Sequence, residues 1–510
     1  MRIRRTGHPL IYEINTRVWV HEFGKKTRKE PFTIDDIPDS ALDEITDLGF
    51  DLVWLMGVWQ TGELGKTIAR RYPSLQPQYQ TVLPDATSRD ILSSPYAVQD
   101  YQVSSGLGGP KALAGLRRRL ARRGIGLILD FVPNHTACDH PWIFSHPEYY
   151  VQGNEESLER EPQNFFQAET VSGSKIIAHG RDPYFPAWSD TAQLNYRHRG
   201  MCTAMKNRLM KIAEQCDGIR CDMAMLVLKE VFARTWGERV DATHTQAPDG
   251  EFWTEAIDRV RKRFPDFIFI AEAYWGLERQ LQSLGFDFTY DKTLYDLLRD
   301  QGTAEVREHL RTDVEFLAGS VHFLENHDEL RAAQVFSKDR HQAAAVICYT
   351  TPGMRFFHEG QLEGRKIRIP VQLARRPDEP CDPQIRRFYE RLLQKLQAPD
   401  FHGGAWKLLE AKLARPGDDA WKDILIYGWR GDGDSHLVAV NYAPRHGRCH
   451  VPLDIPYPHC RNVLFTDQFS NLSFQRSCDT LRDQGLYLEM APFQFHLFKL
   501  TFQTSDPPGE

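Results

Sequence analysis

The chain has 510 residues, 41% of them apolar and 11% aromatic, enough to build a large buried core and too apolar for a disordered chain. Its 63 basic and 69 acidic residues leave a net charge of -6 with no long run of one sign, which argues against nucleic acid as a partner. No stretch is apolar for long enough to span a bilayer, so a membrane is not expected as a partner either.

In chain order, the basic start Met1-Arg2-Ile3-Arg4-Arg5 is followed by no apolar run of a secretory leader, which makes the cytoplasm the expected compartment. Short apolar runs then recur at 10–15, 52–56, 126–132, 218–223, 267–273, 286–289, 320–325 and 354–358. Each is bounded by Gly, Pro or polar residues, and helix-like segments separate them, which is the alternation of parallel β/α units. Several runs are apolar almost throughout, as strands covered on both faces must be. Apolar residues at helical spacing predict helices over 37–48, 110–123, 250–264 and 331–350. Within the second of these, Arg117, Arg118, Arg119, Arg122 and Arg123 alternate with Leu116, Leu120 and Ala121 and read as a solvated helix face.

The gap 136–197 is rich in Pro, Gly, Asn and aromatics and reads poorly as one helix; an inserted subdomain after the third strand is expected there. After a helix-like 383–397 the texture changes to alternating runs such as 424–429, 437–440 and 493–500, which predict an all-β attachment. The expected fold is therefore α/β, a (β/α)8 TIM barrel over 1–135 and 198–398 with an inserted domain over 136–197 and a C-terminal β-sandwich over 399–510. Residues 504–510 read as a frayed tail. The cysteine count, nine without a Cys-x-x-Cys pair, indicates neither a disulfide framework nor a zinc site.

Charged groups recur where these runs end, in the segments Asp130 to His135, Asp217 to Asp222, Ile270 to Ala273 and Glu325 to Asp328. Residues two apart share a face of a strand, so Arg220 and Asp222 point into the same barrel mouth. Unpaired buried carboxylates are costly, and the C-terminal ends of barrel strands are where this fold keeps its chemistry. A single Asp or Glu there is ordinarily a loop cap or one half of an ion pair; four such segments in this order are not accounted for in that way.

The four segments resemble the signature regions of the alpha-amylase family, glycoside hydrolase family 13. Gln193 to Tyr196 resembles its fifth region, and 10–15, 50–55, 94–101 and the terminal β region also resemble it. The resemblance implies Asp222 as nucleophile, Glu272 as general acid and then base, and Asp328 as transition-state stabiliser. It implies sugar contacts from Tyr96, His135 and His327, with Arg220 holding Asp222 ionised, and it places Asp130 and Asp100 behind the reacting groups. Two carboxyl groups at close range suit retention, where one attacks the anomeric carbon while the other protonates the leaving oxygen. No cofactor is implied beyond the calcium ion that some relatives hold.

Some positions depart from the family. Met225 and Leu226 stand where many relatives have a Lys-His pair that reaches the leaving-group sugar, and Ser93-Ser94-Pro95 replaces the acidic residue common in enzymes that trim single glucose units. Gln193 stands in place of an Asp that often binds calcium, so Asn134 alone does not argue for the ion. Tyr184, Phe185 and Trp188 read first as a small core of the inserted domain and second as sugar platforms. Arg331 reads first as a surface arginine at a helix start and second as a substrate contact, and the basic stretch Arg365-Lys366-Ile367-Arg368 as a solvated loop or as a contact for an anionic substrate.

The expected function is hydrolysis of α-glucosidic bonds in α-glucans or maltooligosaccharides, through a covalent glycosyl-Asp intermediate. Transfer to another sugar or to phosphate, as in maltosyltransferases and isomerases, uses the same chemistry. A barrel that binds carbohydrate without catalysis is the reading from another class; such chains tend to lose a catalytic carboxylate, and here all three remain. Nothing in the sequence sets an oligomeric state.

Overall fold

In the computed structural model, which describes residues 7–237, 249–431, 435–455 and 459–504, the eight apolar runs close into one barrel of parallel strands. In order they are Leu10–Asn15, Leu52–Met56, Gly126–Phe131, Gly218–Cys221, Ile268–Ala271, Phe288–Tyr290, Ser320–His322 and Met354–His358. Side chains alternate across each strand. One set, including Ile11, Trp54, Ile128, Ile270, Phe288 and Phe356, fills the barrel as an apolar plug. The other set, including Val53, Leu55, Leu129, Ile219 and Phe269, belongs to the core that packs the surrounding helices.

The inward stripe changes chemistry toward the strand ends. Two residues beyond Ile11, Ile128 and Ile270 stand Glu13, Asp130 and Glu272; the eighth strand adds His358, and the fourth adds Arg220 with Asp222 one layer above it. Register fixes who meets whom: Arg220 lies beside Asp130, and Glu13 lies between Trp54 and His358. A buried Leu, Ile or Phe contributes about 1.5–3 kcal/mol, so the plug below offsets the cost of burying charge above it.

Helices Asp39–Asp47, Gly109–Arg122, Phe252–Arg263 and Pro383–Leu396 fall where the sequence predicts them. On the basic face of the second, Arg117 is bound to Asp217 and Arg119 and Arg123 to Asp39 and Asp43, while Arg118 and Arg122 are exposed to solvent. The predicted 331–350 helix is divided into Ala332–Val335 and Lys338–Thr350, because Phe336 and Ser337 adopt extended backbone between them. Two unanticipated helices, Glu63–Arg71 and Gln76–Val82, follow the second strand and close over a small core of Tyr79, Leu83, Ile91 and Leu373.

Between the third and fourth strands the chain forms two small antiparallel pairs, His135–Ala137 with Thr191–Gln193 and Phe165–Thr170 with Gly173–Ala178. The C-terminal region folds as a six-stranded antiparallel sheet and a second, two-stranded one around Leu437, Phe465, Cys449 and Phe498. It is tied to the barrel by Trp429 Nε1 donating to Thr350 O at 2.7 Å and by Arg307 donating to Ile424 O at 2.9 Å.

One expectation needs correction here: Cys460 and Cys478 form a disulfide, and the remaining seven cysteines are free thiols. The two are 18 residues apart in sequence and meet only because a helix start packs against a strand of this sheet, so their spacing carries no motif. Residues 505–510 of the expected tail lie outside the described residues. No described helix is long and apolar enough to cross a membrane.

Candidate active site

Arg220 organises the barrel mouth. It is 1% exposed, and its guanidinium lies within 6 Å of the rings of Trp54, Tyr96 and Tyr290. One terminal nitrogen donates to Asp222 Oδ1 at 2.8 Å, and the other is ion-paired with Glu272 Oε2 at 2.7 Å. The two carboxylates thus sit on the two prongs of one fork. Glu272 also accepts from Met223 N at 2.7 Å and from the Tyr274 hydroxyl at 2.8 Å. Met223 holds a left-handed backbone with φ 43°, an unfavourable conformation for this residue that aims its N–H at the carboxylate.

The sequence expectation gave Arg220 to Asp222 alone; the structure gives it to both acids, because the fourth and fifth strands are neighbours in register. Burial is the largest influence on each. It raises Asp222 above the ordinary carboxylate range, with Arg220 opposing. It pushes Glu272 up to about 7, again against Arg220 and with added repulsion from Asp222 and Asp328. Pushed up to about 7, Glu272 keeps a substantial protonated fraction near neutral pH, which is the state a general acid needs.

Asp328 stands at the rim with its side chain 52% exposed. Partial burial would raise its pKa, but the neighbouring imidazole of His327 at 3.1 Å, with Arg220 and Arg368, brings it down to about 2. His327 Nε2 also meets the Tyr96 hydroxyl at 2.8 Å, and the two rings stack at 5.4 Å. Asp130 accepts from Trp54 Nε1 and Gly57 N and is fully engaged below the mouth. Burial pushes His135 down to about 4, so it is neutral there, packed on Trp188. Asp100 is ion-paired with Arg208 at 3.2 Å.

Several other expectations change. Arg331 is not a surface arginine: it is 2% exposed, bound to Glu325, to His358 and to Glu359 O, because the loop after the seventh strand folds inward. Tyr184 and Phe185 do not form a core; they are 58% and 65% exposed, and only Trp188 of the three packs inward. Tyr184 instead meets Trp275 edge-on at 4.9 Å. Trp275 follows Glu272 by three residues, is 37% exposed and has φ 67°, a strained backbone that leaves its ring partly open to solvent beyond the end of the fifth strand. Met225 and Leu226 are buried and offer no polar group to a leaving sugar. Arg368 donates to Asp328 O at 3.1 Å and stands at the same rim.

The residues at the family's calcium position do not fit the ion. Gln193 Nε2 donates to Asn134 Oδ1 and Asn134 O, both at 3.0 Å, and to Leu194 O at 3.1 Å. An amide N–H2 thus takes the oxygens a cation would need, whereas calcium requires six to eight oxygen ligands, carboxylates among them. Among the described residues no group of three or more His, Cys, Asp or Glu side chains is placed to hold a metal.

Sequence reasoning missed Glu13, Tyr274, Trp275 and Tyr290. Glu13 had a signal, a lone acid inside an apolar strand on the face of Ile11. The other three had none, since ordinary core aromatics look the same in sequence.

A family description of the alpha-amylase catalytic domain matches residues 39–368. Alpha-amylase MalA of Haloarcula japonica is 25% identical over 70% of this chain and 44% of its own length; alpha-amylase 3 of Dictyoglomus thermophilum is 26% identical over 55% and 56%. The chain thus spans about half the length of these curated relatives. Among solved structures, the maltogenic alpha-amylase AmyB of Thermotoga neapolitana superposes with a TM-score of 0.68 at 18% identity, covering 98% of this chain and 99% of the other. At that identity the likeness speaks for the fold.

Proposed function

The chain belongs to the alpha-amylase family, and from that premise we propose that it is a retaining glycosidase acting on α-glucosidic bonds of α-glucans or maltooligosaccharides. The observation that carries this reading is the single buried guanidinium of Arg220 with Asp222 on one nitrogen and Glu272 on the other. In the first step Asp222 attacks the anomeric carbon and the proton of Glu272 passes to the departing oxygen, leaving a glycosyl ester on Asp222. In the second, Glu272 as carboxylate takes a proton from water, whose oxygen displaces Asp222. Two inversions restore the α configuration. Asp328, ionised and half open to the cleft, grips ring hydroxyls as positive charge develops, with Tyr96, His135 and His327 around the same sugar.

In this reading the catalytic barrel comprises 1–135 and 198–398, 136–197 is the inserted domain, and 399–510 is the β-sandwich. Transfer to a second sugar is the alternative favoured by one observation. The exposed Trp275, three residues from Glu272 in sequence, and Tyr184, packed edge to face with it, offer an apolar platform to an acceptor where Met225 and Leu226 offer none of the polar contacts.

The test is NMR of the first product from a maltooligosaccharide, with Asp222→Asn as control. The α anomer should form first, and the variant should lose turnover while melting close to the parent. A β anomer first, or near-parental turnover by the variant, would overturn the assignment. New glycosides, or sugar phosphates when phosphate is added, would move the reading to transfer.

A further inference from the structure

Behind His327 lies a buried carboxylate to which the reaction above gives no part. Glu13, on the first strand and fully buried, has Oε1 2.6 Å from His327 Nδ1. The other ring nitrogen of His327 meets Asp328 Oδ2 at 3.1 Å and the Tyr96 hydroxyl at 2.8 Å. One imidazole therefore joins a carboxylate in the barrel to a carboxylate at the rim. The geometry points to Glu13 as the positioning residue for His327 and, through it, for Asp328, an inference that rests on the glycosidase reading of this site.

The surroundings explain why Glu13 is an anion in so dry a place. Its neighbour in register on the eighth strand is His358, whose Nε2 is 3.8 Å from Glu13 Oε2. His358 Nδ1 accepts from Arg331, which leaves Nε2 to carry the proton that faces Glu13. Arg331 is itself neutralised by Glu325. Burial would raise the Glu13 carboxyl, but the charge and hydrogen bond of His327, with Arg220 adding to them, hold it below its ordinary value; His358, kept neutral by burial and by Arg331, turns only an N–H dipole toward it.

Burial would likewise strip the proton from His327, but Asp328 and Glu13 hold it well above the usual imidazole range. The other groups facing this cluster are Trp54 of the second strand, against the His327 ring, Arg220, which acts on both Glu13 and Asp328, Arg368, which acts on Asp328, the carboxyls of Asp130, Asp222 and Glu272, and the Tyr290 hydroxyl. With both nitrogens protonated, His327 is locked in orientation and gives Asp328 a charge-assisted donor, roughly twice as strong as a neutral one. A neutral residue at position 13 would leave the ring free to lose that proton.

Glu13→Gln keeps an acceptor at Nδ1 and removes only the charge. Its kcat/KM on a maltooligosaccharide should fall by about tenfold or more, the worth of one charge-assisted hydrogen bond. The loss should deepen as pH rises through the range in which an ordinary imidazole titrates. In a His327→Asn background the same change should have almost no effect. Histidine-selective 15N NMR, with His327→Asn as the assignment control, should show the parent His327 protonated throughout that range and the Glu13→Gln ring titrating within it.

Multiplicative losses in the double variant, or an unaltered imidazole in Glu13→Gln, would overturn the inference. Should that variant not fold, a parent His327 that titrates as an ordinary imidazole overturns it equally. A parent inactive on every α-glucan would sink the glycosidase reading while leaving the NMR result to judge Glu13.

Discussion

Arg220→Met is the perturbation that separates electrostatics from packing in the barrel mouth. The side chain is 1% exposed and ion-paired at 2.8 Å and 2.7 Å to two acids. Methionine fills a similar volume without charge. Removing one partner of a buried pair leaves uncompensated charge and costs about 3–5 kcal/mol. Asp222 and Glu272 are already raised by burial with Arg220 opposing, so without it both rise further.

A carboxyl whose folded-state pKa lies above its unfolded value binds more protons folded than unfolded. Its penalty is absent below the unfolded pKa, and grows as pH climbs through the unfolded value toward the folded one. The variant should therefore be far less stable than the parent at neutral pH and nearly as stable at about pH 4, the ordinary carboxyl range. With an unfolding entropy of about 2 cal/mol/K per residue, a chain of 510 residues loses roughly 1 °C per kcal/mol, so Tm should drop by about 3–5 °C at neutral pH. Scanning calorimetry at the two pH values measures this. Turnover should fall at least about 100-fold with two charged contacts gone. Equal Tm losses at both pH values would show that the cost is packing, and would refute the electrostatic account.

Three further outcomes are expected. With Glu272 pushed up to about 7, kcat/KM should fall as pH rises past neutrality, and Glu272→Gln should erase that limb and lower turnover of sugar leaving groups by about 100- to 10,000-fold, measured as pH-rate profiles. Trp275→Ala should raise KM for maltooligosaccharides by several-fold, about 0.5–1.5 kcal/mol of stacking, without altering hydrolysis of a substrate whose leaving group is too short to reach it. Chelation by EDTA should leave Tm unchanged within about 1 °C, because the Gln193 amide makes the contacts a calcium ion would otherwise make; a clear drop would show that the amide reading is wrong.

The barrel was legible because its strands must be apolar on both faces, and helices must separate them whatever the details of packing. Asp222 and Glu272 were legible for a related reason: a carboxylate directly after an apolar strand has few reasons to be there. Glu13 carries that mark too, yet its meaning depends on His327, more than 300 residues away, and no local pattern points so far along the chain. Arg331 was misread because a helix-start arginine is ordinarily solvated, and only the inward fold of its loop encloses it. Tyr184 and Phe185 were misread because an aromatic in a loop gives no sign of which side water is on.

By itself the sequence determined the β/α alternation, the number of barrel strands, and which acids stand at their ends, since these follow from local periodicity and from the cost of burying charge. Tertiary structure alone decided that Arg220 serves both acids, that Gln193 and Asn134 satisfy each other, that Cys460 meets Cys478, and that Trp275 faces Tyr184. Those are relations between distant segments, and they exist only once closure of the barrel has set register and distance. The same closure sets the dryness of the mouth, and with it the protonation of Glu272, because burial is a property of the packed whole and of no residue taken singly.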